Sequence, residues 1–380
     1  MKGFASPDTE TKLEVKDTVL ICINFLHNRR FLLGMRRYLF MIKKDYAGRL
    51  SRKYVVLLVL LPVIFFFLSL CLGRMFISPR EIFNSFLYKL GLDFPVSAGT
   101  QTVIWSIRVP RLILASVVGA GLSVAGCTFQ NLFSNPLATP DTLGVASGAS
   151  FGAVLALLLG LNSSGVQLSA LLFGLSAVVL TELSSFGLGN SRVTPILSGI
   201  MISSLFSSLV SLVKFTADTE SQLPAITYWL MGSMENAGYD SLLLGAPPII
   251  ICSVILFLLR WKMNLLPLPQ DEAISSGVNI KALRLGCEIC ATAITASCVS
   301  MCGQVGWVGL LVPHICRMKF GGNNVSLLPA SICVGSAFML AVDTIARTVS
   351  PKEIPISILT AIIGAPFFIY LLRKNRGWSL

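Results

Sequence analysis

Beyond residue 53 the chain is a succession of long apolar runs separated by short polar stretches. A helix needs roughly 17–25 apolar residues to cross about 30 Å of hydrocarbon. Ten runs come near that length: 54–73, 111–133, 142–160, 166–187, 195–215, 242–261, 285–302, 305–318, 326–345 and 356–372. None alternates apolar and polar residues with period two, which excludes a transmembrane β-barrel. The seventh and eighth runs are the tightest fit, because 285–318 barely holds two crossings, and Gly303-Gln304 is the natural break between them. The pattern predicts an all-α integral membrane protein of about ten transmembrane helices. The membrane domain covers 54–373, preceded by a basic extension over 1–53 and followed by a short tail over 374–380.

Composition narrows the class further. Hydrophobic residues make up 54% of the 380 and charged residues 13%, about half the charged share of a globular protein. Such a chain cannot clothe itself in polar groups, which excludes intrinsic disorder and an ordinary cytosolic enzyme. The net charge of +12 would point to nucleic acid in a soluble protein, but sidedness accounts for it here. Ten crossings put both termini on one side. With that side cytoplasmic, 22 of the 30 Lys and Arg fall inside and eight outside, as the positive-inside rule requires. No nucleic-acid partner is expected. The polar, basic opening also predicts no cleavable signal peptide.

Within the extension, Arg29, Arg36 and Lys43 recur every seven residues, as do Arg30, Arg37 and Lys44, with Phe31, Leu32, Leu39 and Ile42 between them. Two readings stand. One is an amphipathic helix lying on anionic lipid; the other is an unstructured basic leader that sets orientation.

Candidate chemistry is sparse. His27 and His314 have no Cys or acidic partner at ligand spacing. Cys287-x-x-Cys290 and Cys298-x-x-x-Cys302 could stack as a thiolate site, but metal-binding pairs normally lie in loops. The ten Cys sit mostly in apolar runs, where a thiol packs as a small hydrophobe, so neither a metal nor a disulfide framework is expected. No Ser/His/Asp constellation is visible. No Gly-Lys dipeptide occurs, so the phosphate-cradling GxxxxGK[ST] loop is absent and no catalytic residue is assigned. Two carboxylates, Glu182 and Glu288, lie in apolar runs, where ionisable groups are functional suspects. Glu288 is within a turn or two of the cytoplasmic end and can reach water. Glu182 is deeper and stands alone beside Thr181, Ser184 and Ser185; an interhelical hydrogen bond is expected of it rather than a proton relay.

Polar stretches gather at helix ends. They are Arg108-Val-Pro-Arg111, the Pro-punctuated Asn135–Gly144 link, Gly303–His314, Asp343-Thr-Ile-Ala-Arg347, Glu353-Ile-Pro355 and Gly364-Ala-Pro-Phe367. The prolines break helix and fix turns. Together the runs RVPRLILASVVGAGLSVAGCTFQNLFSNPLATPDTLGVASGASFG, YWLMGS, GWVGLLVPHICR, and DTIART with EIPISILTAIIGAPFFIYLL closely resemble the permeases of ABC importers for iron-siderophores, haem and cobalamin. The resemblance covers about Val55 to Leu372 and leaves residues 1–50 outside.

The resemblance implies a ten-helix permease in the bacterial cytoplasmic membrane, paired with a second permease subunit, alike or related. It also implies two cytoplasmic ATPase subunits and an extracytoplasmic substrate-binding protein. ATP and Mg would be held by the ATPase chains, with no cofactor on this one. By matching motif, Arg108, Arg111 and Arg347 would receive acidic residues of the binding protein through bidentate forks. The alternative for these arginines is lipid-headgroup anchoring or salt bridging within the chain, for instance Asp343 with Arg347 at i, i+4. Asn135 and Leu137 match the family's cytoplasmic gate, or else form a rigid turn. Ala273, Ile274, Ser275, Ser276, Gly277, Val278, Asn279, Ile280, Lys281, Ala282, Leu283 and Arg284 match its ATPase-coupling helices. Two departures stand out: Ser276-Gly277 replaces the usual Leu-Gly, and Asn323, Asn324 and Val325 replace the frequent Asp-His-Arg. The implied function is import of an iron-siderophore or similar metal chelate, with haem or cobalamin as the alternative cargo. An ion-coupled secondary transporter is the competing class; it needs paired ionisable groups at broken helices near the midplane.

Overall fold

A computed structural model describes residues 50–374 apart from 93, 188–192, 236, 270–271, 273–274 and 351. The expectations for the extension and the tail lie outside the described residues. Among those described, the regular structure is helical throughout. Helix α1 (Arg52–Cys71) leads to α2 (Pro79–Lys89). A five-residue helix (Ala98–Thr102) and a π-helical stretch (Val103–Arg108) then run into α3 (Val109–Leu132). The chain continues through α4 (Val145–Leu158), α5 (Ser163–Ser185), α6 (Thr194–Thr216), α7 (Gln222–Leu230) and α8 (Tyr239–Leu259). It ends with α9 (Ile280–Cys302), α10 (Val308–Phe320), α11 (Asn324–Thr348) and α12 (Ile356–Lys374).

Each of the ten apolar runs forms a helix, but they are not ten equal crossings. Among the described residues, seven stretches are long and apolar enough to span a bilayer: α1, Ala98–Leu132, α5, α6, α8, α9 and α11. Over 142–160 and 305–318 the helices are short, 14 and 13 residues, about 20 Å each at 1.5 Å per residue. Both start inside the bundle. The 3₁₀ turn Pro140–Leu143 ahead of α4 packs on Gly199 of α6, where a Cβ would strike the Thr142 carbonyl. Gly309, at the start of α10, lies against the Leu122 carbonyl and the Pro140 ring, halfway along α3. Gly126 of α3 makes that approach possible, because a Cβ there would collide with the Gly309 carbonyl. Backbone-to-backbone contact of this kind is how helices associate in lipid.

Helix α3 is the hub. Twenty of its 24 residues are buried, and it packs against α11, α9, α10 and α8. Helix α1 is the opposite case: it buries only Leu58, Ser69 and Leu70 and turns Val56, Leu57, Ile64 and Phe67 outward, as a lipid-facing helix does. The mixed composition of α2 gives no membrane signal. It forms through a capping box, with Ser78 Oγ accepting from the Glu81 N–H at 3.2 Å and Glu81 accepting from the Ser78 N–H at 2.9 Å, plus Pro79 at the first position. Trp105 holds α2 in place, donating to Ser85 at 3.0 Å beneath the Lys89 ammonium, 3.9 Å from a ring centroid.

Candidate functional site

The two ends of the bundle differ in chemistry. One end gathers arginines and the other asparagines. At the arginine end, Arg111 of α3 donates through Nε to Asp343 of α11 at 2.7 Å and through one terminal nitrogen to Glu353 at 2.9 Å, while its other terminal nitrogen forms an ion pair with the second Glu353 oxygen at 2.9 Å. Arg347 reaches the second oxygen of Asp343 at 3.2 Å and donates to the Ser69 carbonyl at 2.6 Å. Arg108 donates to the carbonyls of Leu70, Cys71 and Met75, where α1 ends. Asp343 is fully buried, and Arg108, Arg111 and Arg347 are 4–6% exposed. The pairing of Asp343 with Arg347 inside the chain is thus realised, and the three guanidinium groups face inward. Arg74 stands at the rim, 59% exposed and 3.9 Å from Glu353. Four Arg face two acids, leaving a local excess of two positive charges.

At the amide end, α3 closes with Asn131, whose amide donates to the Cys127 carbonyl at 2.7 Å and to Asn324 Oδ1 at 2.9 Å. Asn264, in the 3₁₀ turn after α8, accepts from the Asn324 backbone at 2.8 Å and side chain at 2.9 Å and donates to Asn323 at 3.0 Å. Asn323 caps α11 by accepting from the Val325 N–H at 3.0 Å. The Asn-Asn pair that departs from the resembled motif is therefore a structural junction.

Just past α3 lies the expected gate. Asn135 Oδ1 accepts from the Leu137 N–H at 2.9 Å, and the Ala138 N–H bonds to the Asn135 carbonyl at 3.1 Å, an Asx turn that pins the loop locally. Both side chains are exposed, Leu137 at 51%. A cavity of about 260 Å³ lies behind the loop, lined by Thr139, Pro140, Asp141, Thr295, Gln304 and Trp307. It joins the starts of the two short helices. Of the expected coupling stretch, Ala273 and Ile274 lie outside the described residues. Ser275, Ser276, Gly277, Asn279, Lys281 and Ala282 are exposed, Val278, Ile280 and Arg284 half-buried, and Leu283 buried. Arg284 donates to the Leu132 carbonyl at 2.9 Å, so the expected coupling stretch is bonded to the end of α3, just ahead of the expected gate.

Two features escaped sequence reasoning. Asn131 and Asn264 gave no signal, since an amide at a helix end reads as an ordinary cap. Glu182 is not alone: its carboxyl meets that of Glu288 across α5 and α9. Among the described residues, no three His, Cys, Asp or Glu converge on a point that could hold a metal ion.

A polytopic helical bundle with a buried charged lock at one end and an exposed, locally bonded turn at the other has the architecture of a membrane transport subunit. Residues 60–374 match the FecCD transport family, and the chain belongs to that family of ABC-importer permeases. It is 42% identical over 322 residues to the molybdate import system permease protein of Haemophilus influenzae, covering 84% of this chain and 95% of that one. It is 36% identical over 294 residues to a probable iron chelatin transport system permease protein of Helicobacter pylori, covering 77% and 88%. A solved structure described as an inward-facing conformation of a putative metal-chelate type ABC transporter superposes with a TM-score of 0.77 at 41% identity, over 85% of this chain and 99% of that one. The chain is therefore a multi-pass inner-membrane permease.

Proposed function

We propose that the chain, with a second permease subunit, forms the path by which an ABC importer brings a metal chelate into the cytoplasm. An extracytoplasmic binding protein delivers the cargo at the arginine end, two cytoplasmic ATPases act at the amide end, and both termini are cytoplasmic. ATP and Mg belong to the ATPases. The observation that carries the reading is the family match over 60–374. The local charge excess of two at the arginine end supports docking of an acidic surface there. Arg74 makes the direct contact, and Arg108, Arg111 and Arg347 hold the platform and supply field rather than touch.

In this mechanism the ATPases bias the exposed stretch 275–282, and Arg284 passes the displacement to the Leu132 carbonyl and so to the Asn135–Leu137 turn. Only a difference in nucleotide binding between two states can drive such a shift. Helix α6 supports a wet path beside a second subunit: Ser204, Ser207, Ser208 and Ser211 line one of its exposed faces, and no charged side chain interrupts that row. Hydroxyls in file serve water or a subunit interface better than lipid.

An iron chelate is the first reading of the cargo. Molybdate is the second, favoured by the 42% identity with the molybdate permease. Reconstitution of the chain with its ATPase and binding protein in proteoliposomes, with radiolabelled ferric siderophore and molybdate offered separately, tests both. ATP-dependent accumulation of the ferric complex alone supports the first and of molybdate alone the second. Accumulation of either without ATPase ends the ABC reading.

A further inference from the structure

Glu182 of α5 and Glu288 of α9 lie across from each other where the two helices pack, near enough to interact. Helix register puts them there. Gly174 of α5 packs on Ala296 of α9, where a Cβ on the glycine would lie 3.1 Å from the alanine Cβ. The helices run antiparallel, so eight residues along each toward the amide end, a little over two turns, lead from Gly174 to Glu182 and from Ala296 to Glu288. Glu288 is 9% exposed, and its Oε1 is buried without a hydrogen-bond donor. Thr292, one turn further on and tilted back over Glu288, is 3% exposed and its hydroxyl is likewise unpartnered. A buried acceptor and a buried hydroxyl without partners beside a second carboxyl mark a place where a hydrogen is missing.

The surroundings supply little compensating charge. Arg284, one turn before Glu288, acts on it electrostatically and is itself engaged at the Leu132 carbonyl. Cys287 and Cys290 flank Glu288 on α9, and Cys290 pairs with Cys252 of α8. Helix α4 carries no titratable side chain; Arg108 just before α3, Arg111 of α3, Lys214 of α6 and Asp240 of α8 lie toward the other end. The two 3₁₀ turns that touch α9 bring Asp141 and Lys262. Two carboxylates packed together away from water repel strongly when both are ionised, whereas one proton between them makes a short charge-assisted bond.

We infer that Glu182 and Glu288 form a proton-binding site, one proton held between the two carboxyls and tying α5 to α9. Its loss leaves two like charges facing each other one turn from Arg284, so the site couples proton occupancy to the helix that begins in the coupling stretch. The inference is independent of which cargo or ATPase the chain serves.

Infrared difference spectroscopy on the purified full-length chain in lipid nanodiscs tests it directly. At pH 7 the wild type should show one protonated-carboxyl carbonyl band per chain, shifted in D₂O. Glu182→Gln and Glu288→Gln should each abolish it, and Glu235→Gln, at an exposed site, should leave it. The double variant E182Q/E288Q keeps an amide pair across the same contact and serves as the folded control. Its melting temperature should stay flat between pH 6 and 9, whereas that of the wild type falls as the proton leaves. A wild-type chain without the band at pH 7, a band that survives both single variants, or one removed by sodium or calcium at constant pH overturns the assignment.

Discussion

The arginine end and the amide end join the same helices by different means. Six ionised side chains lock α1, α3, α11 and the loop after it at the first; four neutral asparagines connect α3, α11 and the turn after α8 at the second. A buried ion pair gains little over a well-packed apolar contact, but removing one partner strands the other. Such a lock is brittle, with a few arrangements allowed and nothing between. An amide network forfeits only single hydrogen bonds when it shifts, and beside it the Leu137 turn stands exposed. The contrast assigns rigidity to the arginine end and compliance to the amide end.

The severest way to break this contrast is Asp343→Ala. It leaves Arg111 and Arg347 buried without their shared carboxylate and should cost about 3–5 kcal/mol, read as loss of a monodisperse, cooperatively melting protein in detergent. Gly126→Val attacks the helix contact between the two ends. Its added methyls meet the Gly309 carbonyl, and overpacking of about 1–3 kcal/mol should lower the melting temperature and loosen α10 toward protease. Asn324→Ala probes the compliant end: it takes one hydrogen bond each from Asn131 and Asn264, which keep their others, at a cost of about 1–3 kcal/mol in all, and a loss as large as that of Asp343→Ala would erase the distinction. Arg284→Gln should cost only about 0.3–1 kcal/mol at the carboxyl end of α3, yet lower the transport obtained per ATP hydrolysed. Arg74→Glu should change stability by less than about 0.5 kcal/mol while weakening binding-protein association in a salt-dependent way. Unchanged affinity would remove the docking role given to that end.

Much of this was legible beforehand and some was not, for physical reasons. Apolar runs report burial in lipid or protein, so every run became a helix. Run length cannot tell a helix that spans the layer from one that starts halfway through it, and α4 and α10 are of the second kind because the turns before them are buried against α6 and α3. Helix α2 rests on its capping box and on the Trp105 anchor, which a hydropathy pattern does not carry. Motif resemblance singled out Arg108, Arg111 and Arg347, yet their inward orientation depends on Asp343, Glu353 and the carbonyls ending α1. The Asp343–Arg347 spacing foresaw one of those bonds, since i, i+4 is set by the helix itself. The meeting of Glu182 with Glu288 follows from the register between α5 and α9, which only packing decides.

The bond between Arg111 and Asp343 joins residues 232 positions apart. At typical ribosomal speeds of about 5–20 residues per second, the guanidinium emerges roughly ten to fifty seconds before its carboxylate. During biogenesis the nascent chain therefore carries unneutralised cations into the insertion machinery, and a chain truncated before residue 343 can never discharge them. The lock thus doubles as a completion check, closing only on a polypeptide that extends past residue 353.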